Sequence, residues 1–343
     1  MRAVALGGGH GLSATLSALR LMPEYADVTA VVTVADDGGS SGRIRRELGA
    51  LLPPGDLRMA LAALAGPDQY HARWAGFVQH RFGGTGALAG HAVGNLLLAG
   101  LMESLGDPVA ALDEVCTLLG VRGRVLPMSR VPLDIEAEVS GLDETHPERR
   151  HRIRGQVAVA STPGRVERVW LHPEQPPACE QAVEAIRSAD LVLLGPGSWF
   201  TSVLPHLLVP ALRTALQETA ARRVVVLNLA PEPGETSDFS PEQHLAVLNA
   251  HAPDLRLHAV LADGAAVPVP HRLRREARAM MEEGGRVHLA PVAAADPLVP
   301  RHEPAALAVA LREVLATLPV GDEVVGSGVT GETDGPTGGF GWR

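Results

Sequence analysis

The chain has 343 residues, is 46% hydrophobic and carries a formal net charge of −9. That length and apolar content allow a large buried core and exclude wholesale disorder, while the acidic balance excludes a general nucleic-acid or anionic-membrane binder. All 30 basic residues are arginine, which excludes a lysine-dependent phosphate loop, Schiff-base chemistry and a kinase-type Lys–Glu pair.

Ala3–Leu6 is a short apolar run that opens into GGGHG at 7–11, and Leu12, Leu16 and Leu19 then recur at helical spacing up to Pro23. Val28–Ala35, dense in Val and Thr, reads as a second strand of the central parallel kind. The first 35 residues therefore spell a βαβ unit. GGSSGRIRR, at 38–46, reads as a flexible loop. In PPGD at 53–56, Asp56 is placed to cap a helix running to about Ala65. Helices follow over 91–104 and 107–120, the second with Asp107 as cap and Pro108 at its first position.

The stretch 121–175 is rich in Pro, Arg and short alternating runs and reads as hairpins inserted between two halves of a sheet. Strand–helix alternation returns with Leu191–Leu194 before GPGS at 195–198, Val224–Leu229 before APEPGET, Leu255–Leu261 before Asp263-Gly264, and a late strand over Val287–Val292. Ser240-Pro241-Glu242-Gln243 has the form of a capping box for a helix to about Asn249. A last helix spans roughly Pro304–Thr317, and the glycine-rich residues 319–343 read as a disordered tail. We expect one α/β domain over 1–318, a Rossmann-type three-layer fold with a mostly parallel sheet. The two cysteines, Cys116 and Cys179, lie far apart and suit a reducing cytoplasm. No apolar stretch approaches membrane-spanning length, and Ala3–Leu6 is too short for a signal sequence.

Four groups of residues carry candidate chemistry. Gly9-His10-Gly11-Leu12-Ser13-Ala14 fits the G-x-G-x-x-G/A pattern between strand and helix, where backbone N–H groups and the helix dipole favour phosphate; Gly8 precedes it. Asp36 and Asp37 end the next strand. Side chains of adjacent residues on an extended chain point to opposite faces, so one of the two is expected to face a ribose or metal, with Asp36 favoured. Ser40, Ser41 and Arg43 lie in a stretch that can form an anion-binding nest. Gly195, Gly197 and Ser198 repeat the strand-then-glycine design in the second half, facing the first turn across a switch point of the sheet. Asn95, Asn228, Glu235 and Thr236 are polar groups beside these turns. Among the histidines His10 stands inside the turn, with His91 and His302 next in interest. No nucleophile elbow, zincin motif or zinc-spaced His/Cys cluster occurs.

GGGHGLSATLSALR, VTVADDGGSSGRIRRELG, PPGDLRMALAALA, GHAVGNLLLAGL, GPGSWFTSVLPHLLVP and NLAPEPGET together resemble the YvcK proteins, the so-called gluconeogenesis factors, of the CofD-like superfamily. The likeness runs from about residue 2 to 318. It implies a CofD-like fold with a nucleotide at the carboxyl ends of the strands. It also implies binding of a UDP-sugar, notably UDP-N-acetylglucosamine, and a cytoplasmic role in cell shape and wall synthesis on gluconeogenic carbon. No catalytic residue is assigned by it. Backbone N–H groups of GGGHG and GPGS would cradle the diphosphate, and Asp36 or Asp37 would take ribose hydroxyls or a metal, with Mg²⁺ the candidate ion. Arg43 would neutralise phosphate charge, and Arg301, in an Arg-His pair like that of the branch, would meet the diphosphate or sugar. Protein partners in wall synthesis and a homo-oligomer are further expectations; nucleic acid and membrane insertion are not. Gly155-Gln156 and Pro304 depart from the pattern of relatives. A phosphorylation switch is therefore not carried over to Pro304, and Thr330, Thr333 and Thr337 of the tail are the accessible alternatives.

A CofD-like transferase, moving a phospholactyl or phosphoenolpyruvyl group from a nucleoside diphosphate donor to a deazaflavin, is the rival reading. The 3% aromatic content gives it few rings to stack an acceptor. An NAD-linked dehydrogenase ranks lower, since nothing identifies a hydride-transfer partner.

Overall fold

The computed structural model describes residues 1–49, 51–232, 234–237, 239–296 and 299–318; the tail reading and the three tail threonines lie outside them. Seven strands build the central sheet: β1 (Arg2–Gly7), β2 (Asp27–Val32), β3 (Gly123–Pro127), and, after three strands of an insert, β7 (Leu191–Leu194), β8 (Arg222–Val226), β9 (Leu257–Asp263) and β10 (Met281–Ala290). Their order is β10-β9-β8-β7-β1-β2-β3, and every neighbouring pair is parallel. A parallel sheet needs helices on both faces, which is why β7 is Leu-Val-Leu-Leu with all four residues buried. The chain is thus a doubly wound α/β protein whose strand order reverses between β1 and β7.

Helix α1 (Gly9–Arg20) crosses from β1 to β2 and buries Leu12, Leu16 and Leu19. Next come α2 (Gly39–Leu48), α3 (Pro54–Leu64), α4 (Gln69–Gln79), α5 (Val93–Leu105) and α6 (Pro108–Leu118). Asp107 caps α6 as expected, accepting from the Val109 N–H at 2.8 Å. The capping box also forms, with the Ser240 N–H donating to Gln243. The last helix spans Pro304–Thr317.

Three expectations are corrected. GGSSGRIRR is not a loop but most of α2: its Ser40, Ser41 and Ile44 are buried, and that packing overrides the poor helix propensity of Gly and Ser. Asp56 does not cap α3. Pro53 holds the cap position without a side-chain bond, and Asp56 stands two residues inside the helix. Within 121–175, β3 belongs to the central sheet as its edge strand. The remainder forms one three-stranded antiparallel sheet, β5-β4-β6, from β4 (Asp134–Ser140), β5 (His151–Arg154) and β6 (Arg165–His172), with α7 (Gln156–Ala160) between β5 and β6.

The two glycine turns pack on each other. The Thr33 N–H donates to Gly7 O at 3.0 Å and the Thr15 hydroxyl to Gly195 O at 3.1 Å, locking the ends of β1, β2 and β7. A Cβ at Gly11 would lie 2.1 Å from the Pro196 carbonyl oxygen, so only glycine lets the turns meet. Replacing Gly11 by Ala should cost about 1–3 kcal/mol in urea unfolding, as overpacking against fixed backbone does. Gly83→Ala, with no atom within 4 Å of the new methyl, should leave the transition where it is.

Candidate functional site

A two-lobed cleft opens over the carboxyl ends of β1 and β7. The first lobe, about 250 Å³, is bordered by the Gly8–Gly11 turn, Thr33, Asp36, Asp56, the Gly197-Ser198 turn and Ser202, with Gln156 of the insert at its edge. The second, about 320 Å³, shares His10, Gly11, Gly197 and Glu232 with the first and adds Asn228, Arg301 and His302. At the floor, α1 begins after Gly8, which caps it with no side-chain bond; Asp56 takes the Gly9 N–H, and the N–H groups of His10 and Gly11 face an incoming anion. Opposite them, Asn228 brackets the Gly197 peptide, accepting from its N–H at 2.8 Å and donating to its carbonyl at 2.9 Å. Ser198 donates to Glu232.

Asp36 and Asp37 diverge, as alternation along an extended chain requires. Asp36 faces the first lobe and accepts from the Gly38 N–H at 2.9 Å, while Asp37 turns away and accepts from the Val157 N–H of α7 at 2.9 Å. Asp37 thus fastens the insert to the sheet and leaves the cleft to its neighbour. Ser41 braces this corner, its hydroxyl accepting from the Gly55 N–H at 3.0 Å. Burial raises the Asp36 carboxyl above the ordinary aspartate range, against the opposing pull of its bonds from Gly38 and Ser41. Asp56 is pushed up to about 7 by burial and by the charge of Asp36, against the pull of the Gly9 N–H and of Arg58. Gly8 has no room for a methyl because the Asp56 carboxylate would lie 2.4 Å from it.

Charge is unevenly divided. The first lobe carries Asp36, Asp56 and Glu232; the second shares Glu232 and adds Arg301. His10 sits where they join, and burial, then the charges of Arg301 and Arg58, hold it below the usual imidazole value. Behind the π-helical turn Trp199–Val203 lies Glu235, which accepts from the Phe200 N–H at 3.2 Å. Burial, then the charge of Glu232, pushes its carboxyl up to about 8. Among the described residues no group of three His, Cys, Asp or Glu side chains is placed to hold a metal ion. Two carboxylates suit Mg²⁺ only when water and phosphate oxygens complete the shell.

The structure brings together Gly8, Gly9, His10, Gly11, Asp36, Gly197 and Ser198 in the first lobe, and Asn228 and Arg301 in the second. Other candidates stand elsewhere. Ser40 is buried, bonded to His91 Nδ1 at 2.8 Å and accepting from Asn95 at 2.9 Å. Arg43 reaches away to donate to Ala89 O at 2.8 Å. Gly195 lies inside the turn, and Glu235 and Thr236 are buried beneath it. Sequence reasoning missed Asp56, Thr33, Ser202 and Glu232 as cleft residues. It also missed Arg58, 4% exposed, whose charge balances Asp56 and Asp36. The fourth residue of PPGD, Asp56, and the third of APEPGET, Glu232, were visible as acids after glycine and proline, but nothing in their spacing said which way they point.

The family model described as 2-phospho-L-lactate transferase CofD matches residues 3–292. A protein of Mycobacterium tuberculosis strain H37Rv described as "Putative gluconeogenesis factor" is 60% identical over 316 residues, 91% of this chain and 90% of its own length. One of the same description from Deinococcus radiodurans is 39% identical over 324 residues, covering 92% of this chain and 66% of that one. A crystal structure from Bacillus halodurans, of a member of the UPF0052 family, superposes with a TM-score of 0.79 at 33% identity, covering 90% of this chain and 98% of that one. This chain therefore belongs to the CofD family, beside the relatives that bear the gluconeogenesis-factor description.

Proposed function

We propose that the protein is a cytoplasmic UDP-sugar-binding regulator, with UDP-N-acetylglucosamine its foremost ligand, acting in cell shape and wall synthesis on gluconeogenic carbon. The observation that carries the reading is the meeting of two glycine turns at the strand-order reversal, with the start of α1 beneath them and Arg301 alongside. Backbone N–H groups of His10, Gly11 and Ser198 suit a diphosphate, while those of Gly9 and Gly197 are taken by Asp56 and Asn228. Arg301 is the one cation of the second lobe's lining and suits the phosphate or sugar end. Asp36 would accept from ribose hydroxyls, or with Asp56 would hold Mg²⁺, which would offset the charge of the diphosphate. Arg43 has no part in this reading, since it is engaged elsewhere.

The alternative, a transferase acting on a nucleoside diphosphate donor, is favoured by the description of the matching family model. Turnover of a phospholactyl or phosphoenolpyruvyl nucleotide with a deazaflavin acceptor would establish it in place of a regulator.

By titration calorimetry UDP-N-acetylglucosamine should bind, and Asp36→Ala and Arg301→Glu should each weaken it at least about tenfold, a loss of roughly 1.4 kcal/mol. Equal affinity for NAD, or none for any UDP-sugar, would overturn the reading. The acid pair gives a second test through pH. Asp56 titrates near 7, so raising pH from 6 to 8 adds negative charge to the first lobe. With Mg²⁺ present, affinity should rise over this window, because the carboxylates must be ionised to hold the ion. Without it, affinity should fall, because the same charge repels the diphosphate. Asp56→Asn should flatten both profiles.

A further inference from the structure

Arg43, expected to meet phosphate, turns away from the cleft, but helix α3 buries another arginine beside it. Arg58 is 4% exposed. Among the described residues it donates no hydrogen bond and joins no ion pair, and its Nε is sealed from solvent without an acceptor. A guanidinium is all donor, and leaving one buried without acceptors carries a large desolvation penalty. Its stem lies against the first turn of α5, where a Cβ at Gly94 would come within 2.9 Å of the Arg58 Cγ. That turn lacks acceptors too. Ala92 caps α5 with no side-chain bond, and no acid occupies the first turn. The Val93 N–H donates to His80 O at 2.9 Å and the Asn95 N–H to Ala92 O at 3.0 Å, while the Gly94 N–H has no acceptor among the described residues. Arg81, bridged to Ala92, brings a further positive charge. Burial, then that charge, pulls the Arg58 guanidinium down to about 10, and Asp56 and Asp36 offset this only through space. The charge of Arg58 is felt in turn at His10 of the cleft.

We infer that Arg58 and the first turn of α5 form an oxyanion subsite beside the first lobe, where the guanidinium and the Gly94 N–H bind a phosphoryl group. Two arginines and the positive end of a helix dipole repel one another, and an anion among them relieves all three. The arginine fork adds charge-assisted bonds of fixed geometry. The choice of phosphoryl over carboxylate rests on the nucleotide reading of the adjoining cleft. The group belongs either to the diphosphate of the cleft ligand or to a free phosphate bound next to it. A lesser role, counter-charge to Asp36 and Asp56, makes the opposite prediction for stability.

Urea unfolding of the full chain, with and without about 10 mM inorganic phosphate at matched ionic strength, tests the subsite. Phosphate should raise the wild-type midpoint and leave that of Arg58→Met unmoved. Arg58→Lys, which keeps the charge and loses the fork, should retain only part of the shift. Without phosphate, Arg58→Met should unfold at the wild-type midpoint or above it, because it removes a buried charge that has no partner. Calorimetry separates the two sources. If the group is the ligand's own, Arg58→Met weakens UDP-N-acetylglucosamine about tenfold or more and phosphate competes with it, and this loss supports the subsite even where free phosphate gives no shift. If the phosphate is separate, nucleotide affinity stays within about twofold in the variant and phosphate does not compete. A phosphate shift that survives Arg58→Met would overturn the subsite, as would no shift in the wild type together with equal nucleotide affinity in the variant. So would a phosphate-free Arg58→Met midpoint below that of the wild type, the mark of a counter-charge alone. A chain that binds phosphate through Arg58 but no UDP-sugar would end the nucleotide reading and leave the subsite standing.

Discussion

The meeting of the β1 and β7 turns governs the rest of the molecule. Two strands distant in sequence lie side by side, and the chains leaving them come so close that the Pro196 carbonyl fills the space a side chain at Gly11 would need. The bonds from Thr15 to Gly195 and from Thr33 to Gly7 fix that approach. Because the strand order reverses at this point, helices depart to opposite faces and leave a crevice above. The position of the cleft, the openness of the α1 N-terminus and the placement of Ser198 and Ser202 all follow from one backbone contact that tolerates no Cβ.

Around that contact the electrostatics are uneven by construction. A nucleotide site that relied on arginine alone would flood the crevice with positive charge. Here the cation lining the cleft stands in one lobe, and the carboxyl groups of Asp36 and Asp56 gather in the other with Arg58 beneath them. Burial raises both carboxyls, Asp56 to about 7, which disfavours having the two charged side by side. The buried Glu235 repeats the arrangement under the second turn, where it accepts from the Phe200 N–H and holds the π-helical turn in place.

Much of this was legible from residue order, and the exceptions share a cause. Val-rich and Leu-rich runs before glycine marked β1, β2 and β7, because a parallel central strand must be apolar on both faces. Alternation on an extended chain split Asp36 from Asp37, although it did not say that Asp37 reaches α7, which is 120 residues away. GGSSGRIRR read as a loop because propensity is local, whereas its helix is held by the burial of Ile44 and by Arg45 pairing with Asp134 at 2.9 Å. Asp56 read as a cap because Pro-Pro-Gly-Asp looks like a helix start. Its actual partner, the Gly9 N–H, comes from the first glycine turn and exists only after the sheet has closed. Local chemistry names the elements; which groups face one another is decided by tertiary contacts between distant segments.

The divergence of Asp36 and Asp37 has a mechanical side. The two carboxylates flank a single peptide unit, one reaching into the crevice and the other gripping the Val157 N–H in the first turn of α7. A planar peptide unit therefore stands between the crevice and the insert. The small antiparallel sheet is joined to the wall of the crevice at two places, through Asp37 on α7 and through the Arg45–Asp134 pair, so the residue that faces the cleft and the one that anchors the insert are separated by a single step along the chain.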